Sequence, residues 1–299
     1  MRRILRIILL VTAAAFAEPP VLSAQEPKLP ADVKEVTVAD GVTLHYVEKG
    51  KGTPIVFVHG GGSDYSEWDH HLGELALIYR AIAYSSRYNY PNTNKRQPGY
   101  SPVVAADDLA ALIKKLDLGK VHIVGHSLGG QTALFLAVRH PELVRTLTLS
   151  DSGVHFKGDK LLEVAEPAWK RARAAFEKGN TEEALETILE VPAGGKVSIK
   201  KFPEMLRVRL MRNAGELEAL AKGEVFPEVD PEAVKKLAVP TLLLFGEKSG
   251  PVFTGIREEL MRVLPEKNRK LVIRDASHGL RWTHAEQYRK EILEFLKDK

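Results

Sequence analysis

One serine in this chain lies in a pattern that suits covalent chemistry. Ser127 is the centre of a Gly-x-Ser-x-Gly pentapeptide at 125–129, between a predicted buried strand over 121–125 and a predicted helix over 128–139. The glycines allow a sharp strand-to-helix turn that exposes the hydroxyl at the carboxyl edge of a sheet, and the helix N-terminus favours developing negative charge. In this setting the pattern predicts a nucleophile rather than a structural turn.

A serine hydroxyl needs a base to become a good nucleophile, so the pattern calls for a histidine late in the chain. His278 follows the last predicted strand, 270–273, and precedes a C-terminal helix predicted over 286–297. A single histidine is more often a surface or packing residue, but the chain order of serine, acid and histidine favours a role for this one. We therefore predict His278 as the general base.

A run of glycines at 60–62, directly after His59 and the buried strand predicted over 54–58, allows the backbone to approach a substrate closely. A free amide of Gly61, or of Gly62, together with the amide of Leu128 would stabilise the oxyanion of a tetrahedral intermediate. A phosphate-binding loop is the competing interpretation, but the Lys-Ser/Thr that such a loop needs does not follow.

Strands alternate with helices along most of the chain, which predicts a largely parallel sheet with right-handed crossovers. An Asp-Gly pair at 40–41 predicts a hairpin at the start. The predicted strands are 33–38, 42–47, 54–58, 78–84, 121–125, 146–150, 241–245 and 270–273, and the predicted helices between them include 104–116, 128–139 and 253–264.

The pattern changes between 154 and 236, where no apolar strand is evident and helix-forming segments dominate, among them 161–178 and 182–190. Asn180 and Glu183 are spaced like an N-cap and its reciprocal partner. We interpret 154–236 as a helical lid inserted into one α/β core. That core then consists of two parts of the chain, 25–153 and 237–299.

These features resemble the α/β-hydrolase fold family, in its serine-nucleophile, esterase-like branch, over residues 33–297. The glycine motif, the Ser127 turn, the helical insertion after strand six and His278 before the last helix occur in that family's order. The resemblance implies hydrolysis of a carboxylic ester through an acyl-enzyme, without a cofactor or a metal. Epoxide hydrolases and dehalogenases of the family use an aspartate nucleophile, so Ser127 argues against both.

The sequence leaves the acid of the triad open between two residues. Family members often carry it after strand seven in a Gly-Glu-x-Asp sequence, but here that sequence ends in Ser249. Some relatives place it after strand six, where Asp151 lies in this chain. The resemblance therefore implies Asp151 as the acid, with Glu247 as second choice, although Asp151 is almost as well explained as a cap or turn residue.

Substrate identity is not encoded in any motif. Candidate substrate-binding residues are Gly62, Trp68, His126 and Trp169. Further apolar side chains that could line a pocket or simply pack are Tyr65, Phe176, Phe202, Met205, Leu206 and Met211. Three arginines of this stretch either form a solvated basic face or attract an anionic substrate: Arg207, Arg209 and Arg212. C–C bond hydrolysis, lactone opening, peptide cleavage and acyl transfer use the same residues, and a non-catalytic binder on this scaffold is a further alternative.

Composition limits the other possibilities. The 299 residues are 44% hydrophobic, carry a formal charge of +4 and include no cysteine, which excludes disulfides, thiolate metal sites and a cysteine nucleophile. The dispersed charge gives no indication of nucleic-acid binding, and no protein partner is predicted. Residues 1–24 have the basic, apolar and small-residue order of a signal peptide. We expect export to the periplasm or medium, without stable membrane association after cleavage.

Overall fold

An eight-stranded sheet forms the centre of the computed structural model, which describes residues 29–157, 161–266, 268–297 and 299. Its strand order is β1-β2-β4-β3-β5-β6-β9-β10, and a separate pair of two-residue strands, β7 and β8, lies in the insertion. The strands are Lys34–Ala39 (β1), Val42–Lys49 (β2), Pro54–Val58 (β3), Arg80–Tyr84 (β4), Val121–His126 (β5), Val144–Ser150 (β6), His155–Phe156 (β7), Glu228–Val229 (β8), Thr241–Gly246 (β9) and Arg269–Ile273 (β10).

In this sheet the pairs β1–β2 and β2–β4 are antiparallel, and every pair from β4 to β10 is parallel. Strands β5 and β9 are buried along their whole length, which explains why their sequences lack the alternation of a half-exposed strand. Strand β1 lies at the edge and is mostly exposed. Its turn into β2 places Gly41 at a φ of +65°, the backbone region that the Asp-Gly pair predicts.

Helices cover both faces of the sheet. One core cluster packs α2, α3 and α9 on one face, and another packs α1 and α11 on the other. The helices are Asp69–Leu75 (α1), Pro102–Lys115 (α2), Leu128–Arg139 (α3), Leu161–Glu177 (α4), Thr181–Ala193 (α5), Glu204–Arg212 (α6), Ala214–Lys222 (α7), Pro231–Lys235 (α8), Pro251–Val263 (α9), Leu280–Thr283 (α10) and Ala285–Leu296 (α11).

The stretch between β6 and β9 is mainly helical, as predicted, and α4 to α7 share a third cluster of buried side chains. It also contains the short parallel pair β7–β8, which the sequence analysis did not foresee. Asn180 is the N-cap of α5, but its side chain accepts no backbone amide. Its amide instead donates to Glu183 Oε2 at 3.2 Å, so the predicted reciprocal cap is wrong.

The predicted mostly parallel sheet with flanking helices is confirmed. Residues 31–299 form one compact unit. The signal peptide predicted over 1–24 lies outside the described residues. Within the described ranges, none of the helices has both the length and the apolar character needed to cross a bilayer.

Candidate active site

Ser127 lies at the sharp turn between β5 and α3. Its backbone has a φ of 53° and a ψ of −122°, a conformation that residues other than glycine rarely adopt. A Cβ at Gly125 would lie 2.5 Å from the carbonyl oxygen of Gly129, and one at Gly129 would clash with the backbone of Val58 and His59. The turn therefore requires both glycines of the pentapeptide, and it presents the serine at the carboxyl edge of the sheet.

His278 reaches this serine from the loop that follows β10. Its Nε2 lies 3.1 Å from Ser127 Oγ, within hydrogen-bond reach of a nucleophile and its base. The ring stacks on Phe253, with centroids 4.1 Å apart. Backbone contacts of the loop fix its path, since Lys248 N donates to Ala276 O at 2.7 Å.

Asp151 is the carboxylate on the far side of this histidine. Its Oδ2 lies 3.4 Å from His278 Nδ1, an ion-pair distance, although Nδ1 is not aligned for a hydrogen bond. The side chain is fully buried, accepts from Gly246 N at 3.2 Å and is hydrogen-bonded by Ser249 Oγ. Its backbone has a φ of 40°, a value that residues other than glycine rarely adopt.

Glu247, the second choice for the acid, lies elsewhere in the loop. Its side chain is exposed, and its Oε2 accepts from Asp275 N at 2.9 Å, so it braces the segment that leads to His278. The structure therefore brings together Ser127, His278 and Asp151, and it does not bring Glu247 to the imidazole.

The glycine loop packs directly against the serine turn. A Cβ at Gly60 would lie 3.4 Å from Ser127 Cβ, and one at Gly61 would lie 2.5 Å from the Leu128 side chain. The Leu128 amide is the first of α3 and has no intrahelical acceptor. Together with the loop amide of Gly61, it is therefore available to a ligand beside Ser127 Oγ.

His59 holds this loop in place. Its Nε2 accepts from Ser86 N at 2.9 Å, so the ring proton is on Nδ1, which donates to Gly60 O at 2.8 Å. Its role is structural, because both ring nitrogens are used within the protein.

A buried polar cluster beneath the site was not predicted. Glu67 lies 2.8 Å from the Nε of Arg281 and accepts from Gly60 N at 3.2 Å, and both side chains are buried. Arg281 Nη1 in turn lies 2.9 Å from His126 Nε2 and donates to His278 O at 3.4 Å. The pair therefore joins the glycine loop to the loop that carries the base. No sequence signal identifies it, because its partners come from distant segments.

Within this cluster His126 is neutral. Burial, followed by the positive charge of Arg281, holds the pKa of the imidazole well below its usual value. Its Nε2 lies 2.9 Å from Arg281 Nη1, a donor, and 3.0 Å from the carbonyl oxygen of His278, an acceptor, while Nδ1 faces Glu67 Oε1 at 3.6 Å. His126 thus presents an uncharged face to the cavity.

A cavity of about 210 Å³ opens over Ser127 and His278. Three of the four predicted substrate-binding residues line it: Gly62, His126 and Trp169. Its walls are mostly apolar, and the insertion contributes much of them: Trp169, Ile188, Leu206, Leu210 and Leu217 from its helices and Phe202 from the segment before α6.

Trp68, the fourth, is a wrong prediction. Its side chain is fully buried beneath the sheet against Phe57, with ring centroids 5.0 Å apart, and it belongs to the core cluster of α1 and α11. Tyr65 lies in the same cluster. Both follow the glycine loop in sequence, but the short helical turn Tyr65–Trp68 directs them into the core.

Three other apolar candidates also lie away from the cavity. Phe176 is buried among the helices of the insertion. Met205 and Met211 are on the outer face of α6, with 70% and 41% of their surface exposed. Sequence spacing could not separate the inner and outer faces of this helix, since apolar residues occur on both.

A mostly parallel sheet with flanking helices and a serine on the turn after its fifth strand defines an α/β hydrolase. The chain belongs to the α/β-hydrolase fold family, whose model matches residues 53–285. The fold class and the family inferred from the sequence are thereby confirmed.

Relatives in this family have several activities. The chain is 28% identical to a 2-hydroxy-6-oxo-6-(2'-aminophenyl)hexa-2,4-dienoic acid hydrolase from Metapseudomonas resinovorans over 280 residues, 89% of this chain and 91% of that protein. It is 25% identical to epoxide hydrolase 3 from Xenopus tropicalis, over 86% of this chain and 76% of that one. A thermophilic esterase from Thermogutta terrifontis has the same fold, with a TM-score of 0.71 at 23% identity. The match covers 89% of this chain and 98% of that one.

Proposed function

We propose that this α/β hydrolase is a serine hydrolase that cleaves carboxylic esters through an acyl-enzyme. The observation that carries the proposal is the 3.1 Å contact between Ser127 Oγ and His278 Nε2, with the carboxylate of Asp151 behind the imidazole. A nucleophile, a base and an orienting acid in this order are the parts that acyl transfer requires.

In the proposed reaction, Ser127 Oγ attacks the ester carbonyl carbon while His278 accepts its proton at Nε2. The amides of Gly61 and Leu128 stabilise the oxyanion of the tetrahedral intermediate, a contribution of about 3 kcal/mol for each donor of this kind. His278 then protonates the departing alcohol. Water, deprotonated by His278, attacks the acyl-enzyme and releases the carboxylic acid, while Asp151 stabilises the imidazolium in both halves.

The serine favours ester over epoxide cleavage. Attack of an aspartate carboxylate on an epoxide forms an ester that water hydrolyses, whereas attack of Ser127 Oγ would leave an ether without a leaving group. The resemblance to epoxide hydrolase 3 therefore supports the fold and not its reaction. C–C bond hydrolysis is the second candidate, since the relative from M. resinovorans is named for a dienoic acid substrate.

Labelling with a fluorophosphonate probe, with mass-spectrometric mapping, tests the proposal. We expect modification at Ser127 alone and none in Ser127→Ala. We also expect the wild-type protein to hydrolyse p-nitrophenyl esters and Ser127→Ala to lack this activity. A folded protein that is neither labelled nor active on esters would contradict the proposal. Turnover of a vinylogous 1,5-diketone with no ester cleavage would favour the second candidate.

We further propose that residues 154–236 serve as the lid of this site and that residues 1–24 direct export. The lining of the cavity by side chains of α4 to α7 supports the first of these. Comparing full-length chain with one beginning at residue 25, by cell fractionation, tests the second.

A further inference from the structure

Three arginines of α6 differ in their surroundings. Arg207 is exposed, and Arg212 forms an ion pair with Asp64, with Nη2 and Oδ2 2.7 Å apart. Arg209 lies on the inner side of the helix with Leu206 and Leu210, and all three line the cavity above Ser127.

Arg209 is the charged residue in this wall of the cavity that has no ion-pair partner among the described residues. Its buried Nε makes no hydrogen bond, and no carboxylate oxygen among the described residues lies within the 4.0 Å of an ion pair. Its guanidinium lies 6.0 Å from the centre of the Trp282 ring, a distant cation–π contact. A half-buried cation without a counter-ion favours an anion from outside the chain.

The neighbouring charges do not satisfy this need. Arg281 is balanced by Glu67 at 2.8 Å, and Glu74 is bound by Arg289 at 2.7 Å. Asp69 attracts Arg209 only from beyond ion-pair range, and burial raises the pKa of that carboxyl. Burial is the main cause that lowers the pKa of Arg281, and the nearby charge of Arg209 lowers it further, so the two guanidinium groups repel each other across this wall.

The position of Arg209 indicates how a ligand would lie. Together with Leu206 and Trp282 it also lines a second, outer cavity of about 580 Å³, so the three residues separate the outer cavity from the inner one. An anionic group at Arg209 would therefore lie at the boundary, while the apolar part of the same molecule extends inward to Ser127.

We propose that Arg209 binds a carboxylate at the end of the substrate remote from the scissile bond. The substrate class is then an ester whose acyl part is apolar next to the carbonyl and ends in a carboxylate. A guanidinium binds such a group with paired N–H donors, and bonds of this kind are stronger than those between neutral groups. This inference rests on the proposed ester hydrolysis at Ser127, whose chemistry it leaves unchanged.

The test compares two p-nitrophenyl esters of equal length, a dicarboxylic acid hemi-ester and the neutral ester with a methyl group in place of its carboxylate. We expect the ratio of their kcat/KM values to fall about tenfold or more in Arg209→Met, through KM of the hemi-ester. Arg209→Lys should keep part of the ratio, and the exposed Arg207→Met should keep all of it. An unchanged ratio in Arg209→Met would overturn the proposal.

Calorimetry separates this proposal from the catalytic one. The hemi-ester is titrated into Ser127→Ala, which lacks the nucleophile, and into the double variant Ser127→Ala/Arg209→Met. We expect Kd to be about tenfold weaker in the double variant. Equal Kd values would contradict the role of Arg209 even if Ser127 is labelled by fluorophosphonate. A weaker Kd without labelling would instead contradict ester hydrolysis and leave the anion site in place.

Discussion

At the scale of single residues, the position of the proposed acid has a simple geometric explanation. Strands β6 and β9 are parallel neighbours, with Ser150 paired to Leu244, so the loops that follow them meet at one edge of the sheet. A carboxylate after either strand can reach an imidazole there. In this chain Asp151 is the proposed acid, and Ser249, at the position after β9 where the family resemblance implies an aspartate, donates a hydrogen bond to that carboxylate.

The first prediction concerns the choice of acid. Asp151→Asn should lower kcat by about 10³- to 10⁴-fold, because the amide neither stabilises the imidazolium nor keeps the productive tautomer. Glu247→Gln should lower it no more than about threefold, since an amide oxygen can still accept from Asp275 N. Steady-state kinetics on one ester checks both variants. The opposite ranking would transfer the role to Glu247.

The second prediction follows from the hydrogen bond between Ser249 and Asp151. Ser249→Asp alone should lower the melting temperature, because it adds a second carboxylate beside a buried one. Combined with Asp151→Asn, the same substitution places one carboxylate at the end of β9, and kcat should recover about tenfold or more over Asp151→Asn. Combining Asp151→Asn with Ser249→Ala is the control. A double variant no better than this control would show that the two positions are not interchangeable.

Sequence reasoning reached the parts of the site that lie in local motifs. Ser127 and the glycine loop follow strands directly, and their backbone requirements are visible in the residue types. The ion pair of Glu67 and Arg281 was not predicted, and Arg209 was named only as one of three arginines that either form a solvated face or attract an anion. Both depend on which face of a helix or loop points inward. Trp68 was misplaced for the same reason.

At the scale of elements, helices α6 and α7 are joined to the glycine loop by buried polar contacts. Asn213 Nδ2 donates to Asp64 Oδ2 at 2.7 Å, and its Oδ1 accepts from Tyr90 N at 2.7 Å. Glu216 of α7 accepts from Asn89 Nδ2 at 3.1 Å and interacts with the Gly62 amide. This part of the insertion therefore supports the loop rather than only covering the cavity.

The third prediction tests this support. Asn213→Ala removes hydrogen bonds on both sides of the junction and should destabilise the protein by about 1–3 kcal/mol. We also expect faster amide exchange over 60–63 and a several-fold lower kcat with a nearly unchanged KM, because the loop amides contact the transition state. Arg207→Ala, on the exposed face of α6, serves as control. Normal exchange over 60–63 in a destabilised Asn213→Ala would restrict its role to stability.

Long periodic elements were predictable, and short ones were not. Helix α3 begins and ends where the sequence predicts, and the ends of β3 also agree. The two-residue strands β7 and β8 and the four-residue helix α10 carry no periodicity of their own. Tertiary contacts determine such elements, so their residues alone do not reveal them.

At the scale of the whole molecule, buried histidines make stability dependent on pH. Burial, with a smaller effect from nearby arginines, lowers the pKa of His71 and of His122 to about 4. The unfolded chain binds these protons near pH 6.5, so between pH 6.5 and 4 it holds more protons than the folded one. Each of these histidines therefore lowers stability as the pH falls through that range. Carboxyls whose pKa is raised by burial, such as Glu216 and Asp108, act in the opposite direction.

The fourth prediction isolates one of these histidines by comparing two proteins over the same pH range. His122 lies on β5, where its Nδ1 contacts Thr146 Oγ1 at 2.8 Å, and Asn at this position keeps a polar group near the hydroxyl without a titrating one. Urea unfolding at pH 7, 6 and 5 should show His122→Asn losing less stability than the wild type. The difference in slope is limited to about 1.4 kcal/mol per pH unit, the value for one proton. His70→Gln, at an exposed position, should leave the slope unchanged. Parallel curves for His122→Asn and the wild type would contradict this prediction, because His122 would then take up its proton equally in the folded and the unfolded chain. The burial of its side chain on β5 argues against that outcome.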